Sequence, residues 1–169
     1  MGVRSMASGC GRAVRRRGAV LALLALSSAC GYSLSAAGRL TGGVERASVL
    51  PFENLSTEPE LGAVLSAALR EELAARGALA RGGSRTRVEG EVRVGVPSPA
   101  APGGASWRVT LDVAARLVDG DRRVAERSLR RVIDYSAGVD ALETEGRRTL
   151  ALRTLAADCA RELASSLME

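Results

Sequence analysis

The residues of this chain that could do chemistry are three cysteines and a few pairs of carboxylates. The cysteines are Cys10, Cys30 and Cys159. Three cysteines do not make a disulfide framework. The sequence contains no histidine, which is the commonest general base and a common metal ligand. Few residues are therefore available for nucleophilic catalysis or for metal binding.

The carboxylate pairs Glu71/Glu72 and Glu89/Glu91 lie in predicted regular elements beside arginines, so we interpret them as solvated salt-bridge partners. Asp119 and Asp121 could contact a cation, but two carboxylates at a hairpin turn more often belong to the turn alone. The glycines at 103 and 104 follow prolines and precede a strand, whereas a phosphate-binding loop joins a strand to a helix. We therefore predict that the protein is not an enzyme and has no metal or cofactor.

Cys30 ends a segment with the features of a secretory signal. Five arginines and no acidic residue precede an apolar run at residues 19–26, and small residues follow the run. The run is far shorter than the roughly 20 apolar residues of a membrane-spanning helix. Residues 27–30 (SSAC) resemble a bacterial lipobox, although an aliphatic residue normally stands in the place of Ser27. We predict cleavage before Cys30 and its modification by diacylglycerol and an N-acyl chain such as palmitate.

An ordinary secretory signal that leaves Cys30 unmodified is the alternative. Acylation would anchor the mature protein, because two or more acyl chains hold a protein stably in a membrane. Gly31 stands where an aspartate would favour the inner membrane, so the lipobox resemblance implies the outer membrane. The predicted organisation is a signal peptide over residues 1–29, a lipidated N-terminus and tether over 30–43, and a single α/β domain over 44–169.

The charge balance changes once the predicted signal is removed. The chain has 24 basic residues, all arginine, and 19 acidic residues. Five of the arginines precede Cys30, so the 19 that remain equal the acidic residues in number. The basic isoelectric point describes the precursor and does not indicate nucleic-acid binding. No nucleic-acid partner is expected.

Two segments have the periodicity of amphipathic helices. The apolar residues between 61 and 73 share one stripe, after a capping-box pattern at Thr57 and Glu60 and before a stop at Gly77. A second helix is predicted from about Asp140 to Leu167. Its apolar stripe includes Cys159, which we therefore expect to be a buried core residue.

Four segments are predicted to be strands. Residues 44–52 are rich in β-forming residues, residues 87–96 and 107–117 alternate between apolar and polar, and residues 124–135 alternate less well. A loop rich in proline and glycine is predicted over residues 97–104. Asp119 and Gly120 are a hairpin signal, with the turn lengthened by Asp121 and Arg122. Arg127 and Arg131 interrupt the last strand, which indicates an edge strand or a bulge. The order β-α-β-β-β-α predicts an α+β two-layer sandwich, with a four-stranded, mostly antiparallel sheet and both helices on one face.

Three groups of residues match motifs of one known family. The first is residues 30–34 (CGYSL), similar to a CGYxL start. The second is residues 50–54 (LPFEN) followed by 58–61 (EPEL), similar to a strand ending in P-F-x-N before a helix. The third leads into the last helix: Tyr135, Ser136, Asp140, Thr144, Glu145, Arg148, Ala151, Leu152, Leu155 and Ala156. In this order they resemble the LPS-assembly lipoproteins, the LptE family, over nearly the whole chain after the signal.

The resemblance implies a non-enzymatic, LptE-like outer-membrane lipoprotein. Members sit as a plug inside a large β-barrel, LptD, help it to fold and take part in passing lipopolysaccharide to the outer leaflet. Candidate contacts to lipopolysaccharide phosphates are four arginines: Arg108, Arg116, Arg122 and Arg123. A simpler interpretation is that these arginines lie on a solvent-exposed surface, where neighbouring Asp and Glu residues balance their charge.

Other envelope lipoproteins share this combination of a lipobox, a strand ending in P-F-x-N and a small α/β domain. Activators of cell-wall synthases and curli-type secretion components are the notable examples. The sequence leaves this second class open. The two classes differ in their partner, which is a β-barrel in the first and a peptidoglycan synthase or a secretion ring in the second.

Overall fold

The computed structural model describes residues 38–168, in which two helices cover one face of a six-stranded sheet. The predicted signal peptide, Cys10, Cys30, the CGYSL motif and most of the predicted tether lie outside the described residues. Within residues 38–168, no helix combines the length and the apolar character needed to cross a membrane.

The strands are β1 (Ser48–Val49), β2 (Glu53–Asn54), β3 (Thr86–Val94), β4 (Ser98–Pro99), β5 (Ser106–Asp119) and β6 (Arg122–Ser136). The helices are α1 (Leu61–Ala75) and α2 (Ala141–Ser166), and a short 3₁₀ turn spans Thr41–Gly43. β1 and β2 pair in parallel with successive stretches of β3. β5 pairs antiparallel with β3 and β4 on one side and with β6 on the other. The predicted α+β fold with two helices is confirmed, but the sheet is mixed and has six strands.

The first predicted strand is broken into β1 and β2. Leu50 donates its N–H to the Val88 carbonyl at 2.9 Å, and Leu55 donates to Val92 at 2.9 Å, so both stretches run along β3. Pro51 lies between them and has no N–H with which to continue the ladder. The two short strands are therefore one interrupted edge of the sheet.

β3 ends sooner than the alternating sequence predicts, and β4 arises within the predicted loop. The last bond on this side joins the Gly95 N–H to the Thr110 carbonyl at 2.9 Å. Val96 is 92% exposed and does not belong to the buried face. The chain then pairs again over Ser98–Pro99, opposite the start of β5.

α1 begins without the predicted capping box. Its N-cap residue is Glu60, with φ of 65° and no side-chain hydrogen bond to the helix N-terminus. Pro59 keeps the preceding residue out of the helical region, so the first turn is delayed beyond the reach of Thr57. The predicted stop is confirmed: Gly77 has φ of 70°, and its N–H and that of the next residue bond back to the last turn in a Schellman motif.

α2 has the predicted bounds and a side-chain cap. The Asp140 carboxylate accepts the Glu143 N–H at 2.8 Å, and the Glu143 carboxylate accepts the Val139 N–H at 2.8 Å. The predicted apolar stripe is buried: Leu152, Leu155, Ala156, Cys159, Leu163 and Leu167. This stripe packs on α1 and the sheet in one hydrophobic core.

β6 is an edge strand with a bulge, as its poor alternation predicts. The register with β5 shifts between Leu117 and Val118. Arg127 and Arg131 are on the side of the helices and contact α2, where Arg127 Nε donates to the Ser166 carbonyl at 3.1 Å and Arg131 pairs with Glu162. The predicted longer turn is wrong, because Arg122 already pairs with Asp119 in the ladder and the extra residue is absorbed at the bulge.

Candidate functional site

The sheet face opposite the helices, which we call the polar face, carries cross-strand ion pairs. Three pairs join β5 and β6: Arg108–Asp134, Asp112–Arg130 and Arg116–Glu126. Their closest nitrogen–oxygen distances are 2.8, 2.5 and 3.1 Å, respectively. Arg108 and Arg130 each bond their carboxylate through two nitrogen atoms. Directly opposed unlike charges of this kind stabilise strand pairing and fix its register.

The pairing shifts the pKa values of these groups in the direction that keeps them charged. The hydrogen bond from Arg108 lowers the pKa of Asp134, and the bond from Arg116 together with the charge of Arg123 lowers the pKa of Glu126. The bond to Asp112 likewise raises the pKa of Arg130. These side chains are exposed to solvent, which screens each pair, so each pair adds little to the stability of the domain and mainly helps to fix the strand register.

A shallow groove crosses the polar face beside two small side chains, those of Ala114 and Ser128. Glu91, Ala114 and Ser128 lie side by side on β3, β5 and β6. They line an open hollow of about 370 Å³, flanked by Asp112 and Arg130. Among the described residues, no group of three or more metal-ligating side chains could hold an ion. The groove presents charged and small side chains to solvent and is open along the sheet.

The four arginines predicted to contact lipopolysaccharide lie in two places. Arg108 and Arg116 are on the polar face, and Arg122 and Arg123 are at the hairpin. The structure brings Arg116 and Arg123 together on one carboxylate, that of Glu126, at 3.1 and 2.7 Å. Arg122 lies 4.0 Å from Asp119. All four have a carboxylate neighbour in the described part of the chain.

The P-F-x-N motif fastens the edge of the sheet to α1. Phe52 is buried, and its N–H donates to the Ser66 hydroxyl at 2.8 Å. That hydroxyl in turn donates to the Gly62 carbonyl at 2.6 Å. A Cβ at Gly62 would collide with the Phe52 carbonyl, and one at Gly90 would collide with the Ala114 carbonyl and the Phe52 ring. Glycine at both positions therefore permits this close packing.

The rest of the motif meets α2 at the end of the molecule where both helices begin. The Asn54 side chain donates to the Glu58 carbonyl at 2.5 Å and accepts the Ser56 N–H at 3.1 Å. The Glu58 carboxylate pairs with Arg148 of α2, and the two side chains are only 13% and 17% exposed. Arg148 also lies 3.2 Å from Glu145. The sequence does not predict this contact, because it depends on how α2 packs beside α1.

Cys159 is a core residue, as predicted. Its side chain is fully buried, and it forms no disulfide with another described residue. Burial raises the pKa of its thiol to about 11. The thiol is therefore protonated at neutral pH, as is usual for a buried structural cysteine.

Comparison with known proteins connects the fold to one family. The family described as "LptE: Lipopolysaccharide-assembly" matches residues 44–167. No curated protein matches the chain in sequence. The family match covers all of the elements β1 to β6, both helices and the P-F-x-N motif.

Solved structures share the fold at low sequence identity. A protein of Acinetobacter baumannii described as a minor lipoprotein is 16% identical, with a TM-score of 0.54 over 71% of this chain and 90% of its own. A protein of Caulobacter crescentus CB15, also described as a lipoprotein, is 17% identical, with a TM-score of 0.53 over 69% of this chain and 87% of its own. The PelC dodecamer of Paraburkholderia phytofirmans is 15% identical, with a TM-score of 0.51 over 78% and 93%.

Proposed function

This chain belongs to the LptE family of lipopolysaccharide-assembly proteins, and we propose that it is a lipid-anchored lipoprotein of the outer membrane, on its periplasmic face. It acts as a plug in an LptD-type β-barrel, assists assembly of that barrel and takes part in lipopolysaccharide transport to the outer leaflet. The observation that carries this proposal is the family match over the whole described sheet and both helices.

The lipid anchor follows from Cys30. The signal-like segment and the small residues before this cysteine support acylation there, with no other cofactor. An anchor in the membrane that contains the barrel raises the effective concentration of the domain at the barrel. The anchor therefore serves assembly as well as location.

The polar face supports a position inside a barrel lumen. The interior of a large outer-membrane barrel is polar, and this face presents matched pairs of arginine and carboxylate. Both helices cover the opposite face, so the apolar core is closed on that side. A plug with a polar sheet face and an apolar core closed by its helices needs no apolar contact with the barrel wall.

Lipopolysaccharide is proposed as a direct ligand of Arg108, Arg116, Arg122 and Arg123. Arginine binds phosphate through the same bidentate hydrogen bonds with which it binds carboxylate. A lipid A phosphate could therefore replace Asp119 or Glu126 as the partner of the hairpin arginines. We propose no enzymatic activity, since the role consists of binding and positioning.

Depletion of the protein in its native cell tests the proposal. We expect less folded LptD-type barrel in the outer membrane, measured by its heat-modifiable mobility on gels, and less lipopolysaccharide at the cell surface. An unrelated porin of the same membrane should be unaffected, and the wild-type chain should restore both levels. Unchanged barrel and lipopolysaccharide would favour the second class, the synthase activators or secretion components.

A further inference from the structure

The described chain begins at the end of the molecule where both helices finish. The Gly38 N–H donates to the carbonyl of Arg76, just past α1, at 3.2 Å, and the Thr41 N–H donates to Leu167 at the end of α2 at 2.8 Å. The β5–β6 hairpin lies at this same end, because a Cβ at Gly42 would collide with Val124. Any segment that leads from a membrane anchor at Cys30 therefore joins the domain here.

Exposed arginines are concentrated at this end, and we name them the basic end: Arg46, Arg81, Arg85 and Arg122. Arg46 precedes β1, Arg81 and Arg85 precede β3, and Arg122 begins β6. The neighbouring carboxylates are fewer: Glu45, Asp119 and Asp121, the last of these in the hairpin turn. Asp119 is shared, at 3.4 Å from Arg85 and 4.0 Å from Arg122, and Glu45 is already paired with Arg39.

Arg46 and Arg81 differ from most arginines of the chain because neither has a hydrogen bond or an ion pair with another described residue. A short parallel bridge places them near each other: the Ala47 N–H donates to Ala78, and the Ala80 N–H donates back to Ala47, both at 3.0 Å. The two arginines line one surface hollow of about 300 Å³. In a domain whose charges otherwise balance, this is a local excess of positive charge.

We propose that the basic end docks on the phosphate headgroups of anionic glycerophospholipids in the leaflet that holds the acylated Cys30. This inference rests on the proposed lipid anchor. Gly38 lies eight positions after Cys30 in the sequence, so the connection spans at most about 29 Å when fully extended. Acyl chains and basic residues together give a stable and oriented attachment, because each charge near an anionic surface adds to the anchor.

Vesicle binding by a form that cannot be acylated tests the basic end alone. The form runs from residue 30 with Cys30→Ala; it contains the whole hydrophobic core, whose members lie between Leu40 and Leu167. We expect it to sediment with phosphatidylcholine vesicles that contain phosphatidylglycerol, and not with pure phosphatidylcholine vesicles. Binding should weaken as salt is raised. Equal binding to both vesicles, or none to either, contradicts the proposal.

A pair of charge reversals with a matched control locates the effect. Arg46→Glu with Arg81→Glu should lower binding to the anionic vesicles by about tenfold or more. The control is Arg93→Glu with Arg153→Glu, because these two arginines are also exposed and without partners among the described residues but lie away from the basic end. The control pair should leave binding within about twofold. An equal loss in both pairs would show non-specific attraction and overturn the proposal.

Two further arms identify the source of the phosphate. Binding that requires lipid A in the vesicles would assign the basic end to lipopolysaccharide, and binding abolished by millimolar inorganic phosphate would assign it to a free anion; either result overturns the proposal. Arg46→Gln with Arg81→Gln serves as a second, milder pair, with circular dichroism to show that each variant is folded. Acyl labelling of Cys30 is measured separately, so a failed anchor and a failed basic end give different results.

Discussion

Ser66 shows how one side chain gives the P-F-x-N motif a structural role. Its hydroxyl accepts the Phe52 N–H and donates to the Gly62 carbonyl, so it joins the sheet edge to α1. It is buried to 1% exposure, and no other polar side chain of the described residues is buried so completely. The motif therefore positions an edge strand beside the first helix.

Replacing Ser66 with alanine should destabilise the domain. The change leaves the buried Phe52 N–H without a partner, which costs about 1–3 kcal/mol. Urea denaturation followed by circular dichroism measures the loss. Ser128→Ala on the exposed polar face is the matched control and should change the free energy of unfolding by less than about 0.5 kcal/mol. A loss at Ser66 no larger than at Ser128 would show that the buried bond is unimportant.

At the level of single residues, burial was easier to predict than partnership. The position of Cys159 on an apolar helical stripe is enough to place it in the core. The contact between Glu58 and Arg148 joins residues 90 positions apart, and nothing in the sequence near either residue specifies the other. The partners of the arginines on the polar face are equally hard to predict from sequence, because they depend on the register of β5 against β6.

α2 illustrates an element whose bounds are set locally. Asp140 caps its first turn and the buried stripe continues to Leu167, so cap and periodicity indicate the same helix. Asp140→Ala should lower the free energy of unfolding by about 0.5–2 kcal/mol, because the Glu143 N–H loses its acceptor. Asp140→Asn retains an acceptor and should restore most of the stability in the same denaturation measurement. Equal losses for both variants would contradict a role for the cap.

The strands divide by length into those that the sequence predicts and those that it does not. β3, β5 and β6 alternate between apolar and polar residues over many positions, so each can be recognised from its single apolar face. β1, β2 and β4 have two residues each and exist only because neighbouring strands offer free backbone groups. The capping box expected at Thr57 fails for a similar reason, since Pro59 and the packing of the motif set where α1 begins.

The whole domain has two faces and two ends with different chemistry. The helices close the core on one face, and the paired charges of the polar face suit a hydrated lumen. The basic end lies where the chain leads from Cys30, and the cluster of Glu58 and Arg148 lies at the opposite end of the helices. This arrangement agrees with the proposed lipid-anchored plug, in which one end faces the membrane and the polar face meets the partner.

The most direct test is purification of the native, lipidated protein from outer membranes in mild detergent, followed by identification of whatever co-purifies in stoichiometric amount. We expect a complex with a single large LptD-type β-barrel at a ratio of about one to one. A preparation without such a barrel, or one that contains a peptidoglycan synthase or a secretion ring in its place, would contradict it.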